Sequence, residues 1–373
     1  MNIAIDIRSL QSGQVSGVEN YTAHLTEHLL RADSQNRYTL FYNSITEKNF
    51  EQLHFINSRI ENFGLPNKLL NFGNRFLGVP NFERYIGKQD IIFFPNYNHY
   101  VTPVGAKVVI TIHDLSAFIH PEFFDVKRRL WHSMLGLRKK LHSADRIVAV
   151  SEYTKSDCMR VFGIADEKIS VIYPGIHPVG SEFSLDKLRN VRNKYRLPGN
   201  FILFVSTLEP RKNILGLIQS FERLETQTHL VLAGKIGWKY EEIFTAIQNS
   251  PKKRFIHYLG YVPESDKSCI MKLAQIVAYP SFYEGFGFVP LEACAVGVPV
   301  LACQVTSIPE VVGDAALLVD PYDTNSIAYG LTQLLEDNNL RQRLIEKGKE
   351  HVKRFTWESS AMAHLELFRN LSE

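Results

Sequence analysis

The sequence predicts an α/β protein built from two doubly wound parallel sheets in tandem. Short apolar, β-branched runs alternate with helix-period segments along most of the chain, and that alternation stops after residue 173 before a second series begins. A length of 373 residues, at roughly 100–200 per domain, suits two domains that each bury a core. Strands separated by helices need crossover connections, which makes a sheet parallel and covers both of its faces.

Residues 2–8 form the first apolar strand, 9–17 a polar loop containing glycine, and 18–30 a helix with Leu25, Leu29 and Leu30 on one side. Strands follow at 38–42, 91–94, 107–112, 146–150 and 170–173, with helical patterns at 126–141 and 153–161. After Tyr173-Pro-Gly-Ile-His-Pro the pattern stops for about 25 residues, through Leu197-Pro-Gly-Asn, and this polar stretch marks the expected domain boundary. A second series begins at 201–205 and continues through 230–233, 255–258, 276–279, 299–302 and 315–319. The expected domains are therefore 1–175 and 176–355, and the final helix, 357–371, lies in a segment 356–373 expected to pack back on the first domain. Ligands of such sheets sit outside the carboxyl ends of the strands, so two sheets facing one another would enclose a central cleft.

Composition narrows the function classes. With 45% hydrophobic and 22% charged residues and no repeat of its 22 Gly and 16 Pro, the chain is neither disordered nor fibrous. Its 42 basic against 39 acidic residues leave a formal +3, so nucleic acid is not an expected partner and any anion site must be local. Cys158, Cys269, Cys294 and Cys303 form no C-x-x-C pair and have no His at ligand spacing, which predicts reduced, mostly buried thiols and no metal site. Asp6 and Arg8 interrupt the only N-terminal apolar run, and no run reaches the 18 or so apolar residues of a membrane span, so a cytoplasmic location is expected. Lys127-Arg128-Arg129 and Arg138-Lys139-Lys140, with Leu130, Trp131 and Leu137, form a basic helical surface; it reads either as peripheral contact with the inner membrane face or as a solvated face.

The densest constellation follows the strand at 276–279: Glu284-Gly285-Phe286-Gly287-Phe288-Val289-Pro290-Leu291-Glu292. Gly285 and Gly287 permit a tight turn and close backbone approach, and Pro290 suits the first helical position, placing a helix start near Val289. Free N–H groups at that start favour an anion, with Glu284 before it and Glu292 one turn in, although two glutamates at this spacing also arise by chance. A second element, Ser206-Thr-Leu-Glu-Pro-Arg211-Lys212-Asn213, also follows a strand, and its two cations beside the helix start describe a diphosphate clamp. In the first half, Thr111-Ile-His113-Asp114 ends a strand, where an imidazole can bond a sugar hydroxyl or a departing phosphate. Gly17, after Ser16, opens the first helix and can bring backbone N–H groups to phosphate; no G-x-G-x-x-G occurs, which disfavours nicotinamide chemistry.

Taken together, the Gly17 loop, His113-Asp114, Val150-Ser151, Glu209-Pro-Arg211-Lys212-Asn213, Gly260-Tyr261-Val262 and Glu284-x7-Glu292 resemble the retaining glycosyltransferases of family four, or group one, with the two-domain, Rossmann-like GT-B architecture. The resemblance covers essentially the whole chain. It implies that Glu284 holds the donor sugar, Glu292 the nucleotide ribose, and Arg211 and Lys212 the diphosphate, with His113 beside the sugar; His113 and Glu284 are thus the expected catalytic residues. Gly17, Ser206, Tyr261, Val262, Gly285, Phe286, Gly287 and Phe288 complete the expected donor site. Ser16 stands where many members have a second glycine, and Thr207 where many have arginine.

The expected reaction moves a hexose from a nucleotide diphosphate sugar to a saccharide or lipid-linked acceptor with retention, in surface polysaccharide biosynthesis. Cations and helix N–H groups would stabilise the leaving diphosphate with no cofactor or metal, since no Asp-x-Asp cluster accompanies the site. Resemblance to bacterial mannosyltransferases makes mannose from GDP-mannose the first choice and a UDP-sugar the alternative. A nucleotide-sugar binding protein without turnover and a nucleotide-sugar epimerase are the competing readings.

Overall fold

The computed structural model describes residues 1–12, 17–65, 83–97, 105–176 and 183–372; Ser16 lies outside them. The chain folds as two compact units, one comprising 1–115, 127–175 and 355–373, the other 116–126 and 176–354.

The first unit holds a seven-stranded sheet in the order β3-β2-β1-β4-β5-β6-β7. Its strands are β1 (Asn2–Asp6), β2 (Arg37–Tyr42), β3 (Ser58–Asn62), β4 (Ile91–Phe94), β5 (Lys107–Ile112), β6 (Arg146–Ala149) and β7 (Ile169–Val171). Every neighbouring pair is parallel. Strand β3, Ser-Arg-Ile-Glu-Asn, carries no apolar run because it is an edge strand with half-exposed side chains, and the charges that hid it also blunt that edge.

The second unit holds a six-stranded parallel sheet in the order β10-β9-β8-β11-β12-β13. These strands are β8 (Phe201–Val205), β9 (His229–Ala233), β10 (Ile256–Tyr258), β11 (Ile276–Tyr279), β12 (Val300–Cys303) and β13 (Leu317–Val319). Alternate residues serve two separate cores: Leu203, Val231, Val277 and Val300 pack on one face, while Ile202, Leu230, Ile276 and Leu301 pack on the other. Period-2 side chains buried on both sides require the continuous apolar runs seen in the sequence.

Three expectations change. The helix expected over 126–141 is two, Val126–Met134 and Leu137–Ser143, divided at Gly136, which adopts φ 62°. The polar stretch in which the strand and helix pattern was expected to stop contains the helix Leu185–Lys194, capped where Ser184 Oγ accepts from Lys187 N at 3.2 Å. One buried valine, Val191, and bonds from Lys194 Nζ (2.6 Å) and Tyr195 Oη (2.7 Å) to Asp266 anchor it, too few apolar positions for its period to show. Residues 116–126, expected in the first domain, pack with the second unit: Trp238 Nε1 donates to Phe123 O at 2.7 Å, and Phe124 stacks on Trp238.

The helix Trp357–Ser372 belongs to the first unit, where Phe368 meets Phe93 (5.5 Å) and His364 Nε2 lies 3.3 Å from Tyr21 Oη. A Cβ on Gly175 would come within 2.2 Å of Trp357 N, so the absence of a side chain there lets the chain lie against the start of this helix. No helix of the described residues is long and apolar enough to cross a membrane. The four cysteines are buried, unbridged thiols.

Candidate active site

In the second unit the strand order reverses direction between β8 and β11, which pair directly. In open α/β sheets this switch point, at the carboxyl ends of the strands, is where ligands bind. Ser206 follows β8 and residues 280–287 follow β11, so the two motifs are neighbours in space because their strands are neighbours in the sheet.

Their side chains meet. Lys212 Nζ donates to Glu284 Oε1 at 2.6 Å and to Tyr279 Oη at 2.7 Å. Arg211 Nη1 donates to Glu284 Oε2 at 3.0 Å and to Tyr283 O at 2.7 Å, and its Nη2 lies 2.9 Å from Glu209 Oε1. All four charged side chains are 12% exposed or less, so this is a buried cluster of two cations and two carboxylates with no net charge. Both cations of the expected diphosphate clamp are thus paired with carboxylates in the structure. Burial pushes the Glu284 carboxyl up, but Lys212 and Arg211 outweigh it and hold the group down at about 2. Burial and Arg211 pull the Lys212 ammonium below its ordinary value, against Glu284 and Glu209.

The local fold explains the geometry. Asn213 adopts φ 56° after the short turn Pro210–Lys212, and its Nδ2 donates to Pro280 O (3.0 Å) and Pro321 O (2.7 Å), tying the basic motif to the loop after β11. Phe282 N donates to Arg211 O at 2.9 Å across the same seam. Ser307 Oγ donates to Glu284 O (3.0 Å) and Phe286 O (3.1 Å), and Glu284 N donates to Thr306 Oγ1, so the loop after β12 fixes the glycine turn from behind. Gly287 adopts φ 102°, and a Cβ there would lie 2.4 Å from Ile308 Cδ1. The helix that follows is Phe288–Ala295, one residue earlier than expected, which makes Pro290 its third residue, still within the first turn where an N–H is not required.

The other expected residues divide into two sets. Glu292 lies apart from the cluster and pairs with Lys267 Nζ at 2.8 Å. Gly285 and Phe286 are buried in the turn, Phe288 packs edge-on to Phe286 at 5.1 Å, and Ser206 N donates to Ala233 O at the end of β8. Tyr261 is exposed beyond β10, whereas the Val262 side chain is buried in the core, which leaves its backbone as the part that could meet a ligand. Gly17 and His113 belong to the first unit. Gly17 is the first residue of the helix Gly17–Ala32. His113 lies within hydrogen-bond distance of Pro95 O (Nε2, 2.8 Å) and edge-on to Tyr21 at 4.7 Å. Since a carbonyl only accepts, Nε2 carries the proton and Nδ1 is left as acceptor in the neutral ring, a state favoured because burial pulls the imidazole below its ordinary value. Glu209, Tyr279, Thr306, Ser307 and Lys267 were not among the expected site residues; of these Glu209 carried a signal, its place in the Glu-Pro-Arg-Lys run.

Comparisons with known proteins establish the family. A family description of glycosyl transferases group 1 matches residues 189–351, and one of glycosyltransferase family 4 matches 15–179. O-antigen chain mannosyltransferase B of Escherichia coli is 34% identical over 289 residues, 76% of this chain and 75% of that protein. Serotype-specific mannosyltransferase WbdA of Escherichia coli is 27% identical over 71% of this chain, a match that spans about a third (34%) of the longer protein. Among solved structures, sucrose-phosphate synthase from Thermosynechococcus elongatus superposes with a TM-score of 0.77 at 21% identity, covering 100% of this chain and 99% of that one. The chain belongs to the group 1 glycosyltransferases of family 4, enzymes of GT-B fold that take sugars from nucleotide-sugar donors.

Proposed function

We propose that this glycosyltransferase moves mannose from GDP-mannose, with retention, to a saccharide or lipid-linked acceptor in surface polysaccharide biosynthesis. The observation that carries the reading is the meeting of Arg211 and Lys212 on Glu284 at the switch point of the second sheet. Two cations that share one carboxylate can exchange it for a diphosphate of like charge. Donor binding then frees Glu284 to accept hydrogen bonds from sugar hydroxyls, while Arg211, Lys212 and the N–H groups of the turn at Gly285–Phe288 hold the phosphates. Glu292 takes the ribose hydroxyls, and His113 presents Nδ1 to a hydroxyl of the sugar. Mannose is favoured by the names of the two Escherichia coli relatives.

In the transfer step the bond from the anomeric carbon to the β-phosphate oxygen breaks, and the acceptor oxygen bonds that carbon on the same face. The acceptor proton passes to the departing phosphate. Negative charge growing on the diphosphate is stabilised by groups already in position, with no metal in this scheme. The helices at 126–143 expose Leu130, Trp131 and Met134 among Lys127, Arg129, Arg138 and Lys139, and this supports peripheral contact with an anionic membrane.

Thermal stabilisation by GDP-mannose, UDP-glucose and UDP-N-acetylglucosamine, followed by transfer and NMR of the product's anomeric centre, tests the donor and the stereochemistry. GDP-mannose should stabilise most and give a product of unchanged configuration; stabilisation by a UDP-sugar alone replaces the donor, and an inverted product refutes retention. Anionic liposome binding unaffected by reversing the six charges at 127–129 and 138–140 would remove the membrane contact.

A further inference from the structure

Glu292 and its surroundings carry a second arrangement. Lys267 Nζ lies 2.8 Å from Glu292 Oε1 and 2.7 Å from Glu264 Oε1, with its side chain 13% exposed. Glu292 Oε2 is buried and has no hydrogen-bond partner. A buried acceptor left unmet is unfavourable, and native folds keep such an atom where a ligand or a water completes it. The two oxygens therefore differ: Oε1 is anchored by a buried ammonium, and Oε2 awaits a donor. Burial depresses the Lys267 ammonium, but Glu292 and Glu264 outweigh burial and raise it, so the anchor stays charged at neutral pH.

We propose that Lys267 is a positioning residue for nucleotide recognition, fixing the Glu292 carboxylate through Oε1 so that Oε2 receives a ribose hydroxyl of the donor. This rests on the reading of Glu292 as the ribose-binding residue. Lys267 lies on the helix Glu264–Leu273 and Glu292 on Phe288–Ala295, so the pair also sets the distance between two helices at this corner of the unit. Without the ammonium the carboxylate can turn toward solvent, and the ribose loses a preorganised acceptor.

The test measures dissociation constants of GDP, 2′-deoxy-GDP and 3′-deoxy-GDP, and of the uridine counterparts if UDP binds more tightly, for wild type, Lys267→Met, Lys267→Arg and Glu292→Ala. A ratio of two affinities on one protein does not depend on the fraction folded. Wild type should discriminate against one deoxy nucleotide by about tenfold or more, as expected for a hydrogen bond to a charged group. Lys267→Met should bring that ratio close to one and raise KM for the donor with kcat retained, whereas Lys267→Arg should restore most of it. If Lys267→Met does not fold, Lys267→Leu is read in the same way. Wild-type discrimination in Lys267→Met together with its loss in Glu292→Ala overturns the role of Lys267 and leaves the ribose reading intact. Wild-type discrimination in Glu292→Ala overturns both.

Discussion

Replacing Lys212 by Met tests the buried cluster most searchingly. The substitution keeps the length of the side chain and removes an ammonium that sits 2.6 Å from Glu284 Oε1 in a site where both side chains are under 10% exposed. Removing one member of a buried ion pair costs about 3–5 kcal/mol, because the remaining charge stays desolvated. Here Arg211 remains 3.0 Å from Oε2, so the lower end, about 3 kcal/mol, applies. At roughly 2–4 °C per kcal/mol for a domain of this size, the melting temperature should fall by about 6–12 °C. Glu284→Gln alone should cost about 2 kcal/mol, since the amide oxygen can still accept from Lys212. The double variant places Met beside Gln with no unpaired charge, so its cost should be smaller than the sum by about 1–3 kcal/mol. Thermal and urea melts of the four proteins close the cycle. Strict additivity would refute the claim that these two residues are a single buried unit.

Acid unfolding gives a second check. The Glu284 carboxyl, at about 2 in the folded protein against an ordinary 4.5, contributes stability that is present above about pH 4.5 and lost as pH falls toward 2. That difference is about 3 kcal/mol, so Glu284→Gln should flatten this limb of the profile; parallel losses in the two proteins would contradict it. Gly287→Ala forces a side chain onto φ 102° and against Ile308, and should destabilise by about 1–3 kcal/mol and lower transfer, whereas a variant that melts like wild type would sink the strained-turn argument. Tyr21→Phe removes a buried hydroxyl 3.2 Å from Thr111 Oγ1 and 3.3 Å from His364 Nε2. It should cost about 1–3 kcal/mol while leaving GDP affinity unchanged, because among the described residues the hydroxyl bonds only Thr111 and His364; a fall in GDP affinity would contradict a purely structural role for it.

Much of the fold was legible because strands buried on both faces must be continuously apolar: Ile91–Phe94, Lys107–Ile112, Phe201–Val205 and Ile276–Tyr279 are found where the sequence put them. Strand Ser58–Asn62 and helix Leu185–Lys194 escaped for the opposite reason, since one is an edge and the other buries a single residue. The break at Gly136 depends on a left-handed backbone that helical periodicity does not register. At the site, the sequence named Arg211, Lys212 and Glu284, but their mutual pairing depends on the adjacency of β8 and β11, which only the strand order supplies. Glu209 was read as part of a basic run rather than as the counter-charge it is. Lys267 had no signal at all, because a lysine on an amphipathic helix looks like any solvated residue until its partners are known.

Donor binding by this route requires an exchange of partners in which diphosphate replaces Glu284 on Arg211 and Lys212. Calorimetric titration of GDP and GMP into wild type and Lys212→Gln measures it directly. Wild type should prefer the diphosphate by more than about tenfold, and the variant should lose most of that preference. An undiminished preference for GDP over GMP in Lys212→Gln would rule out the exchange.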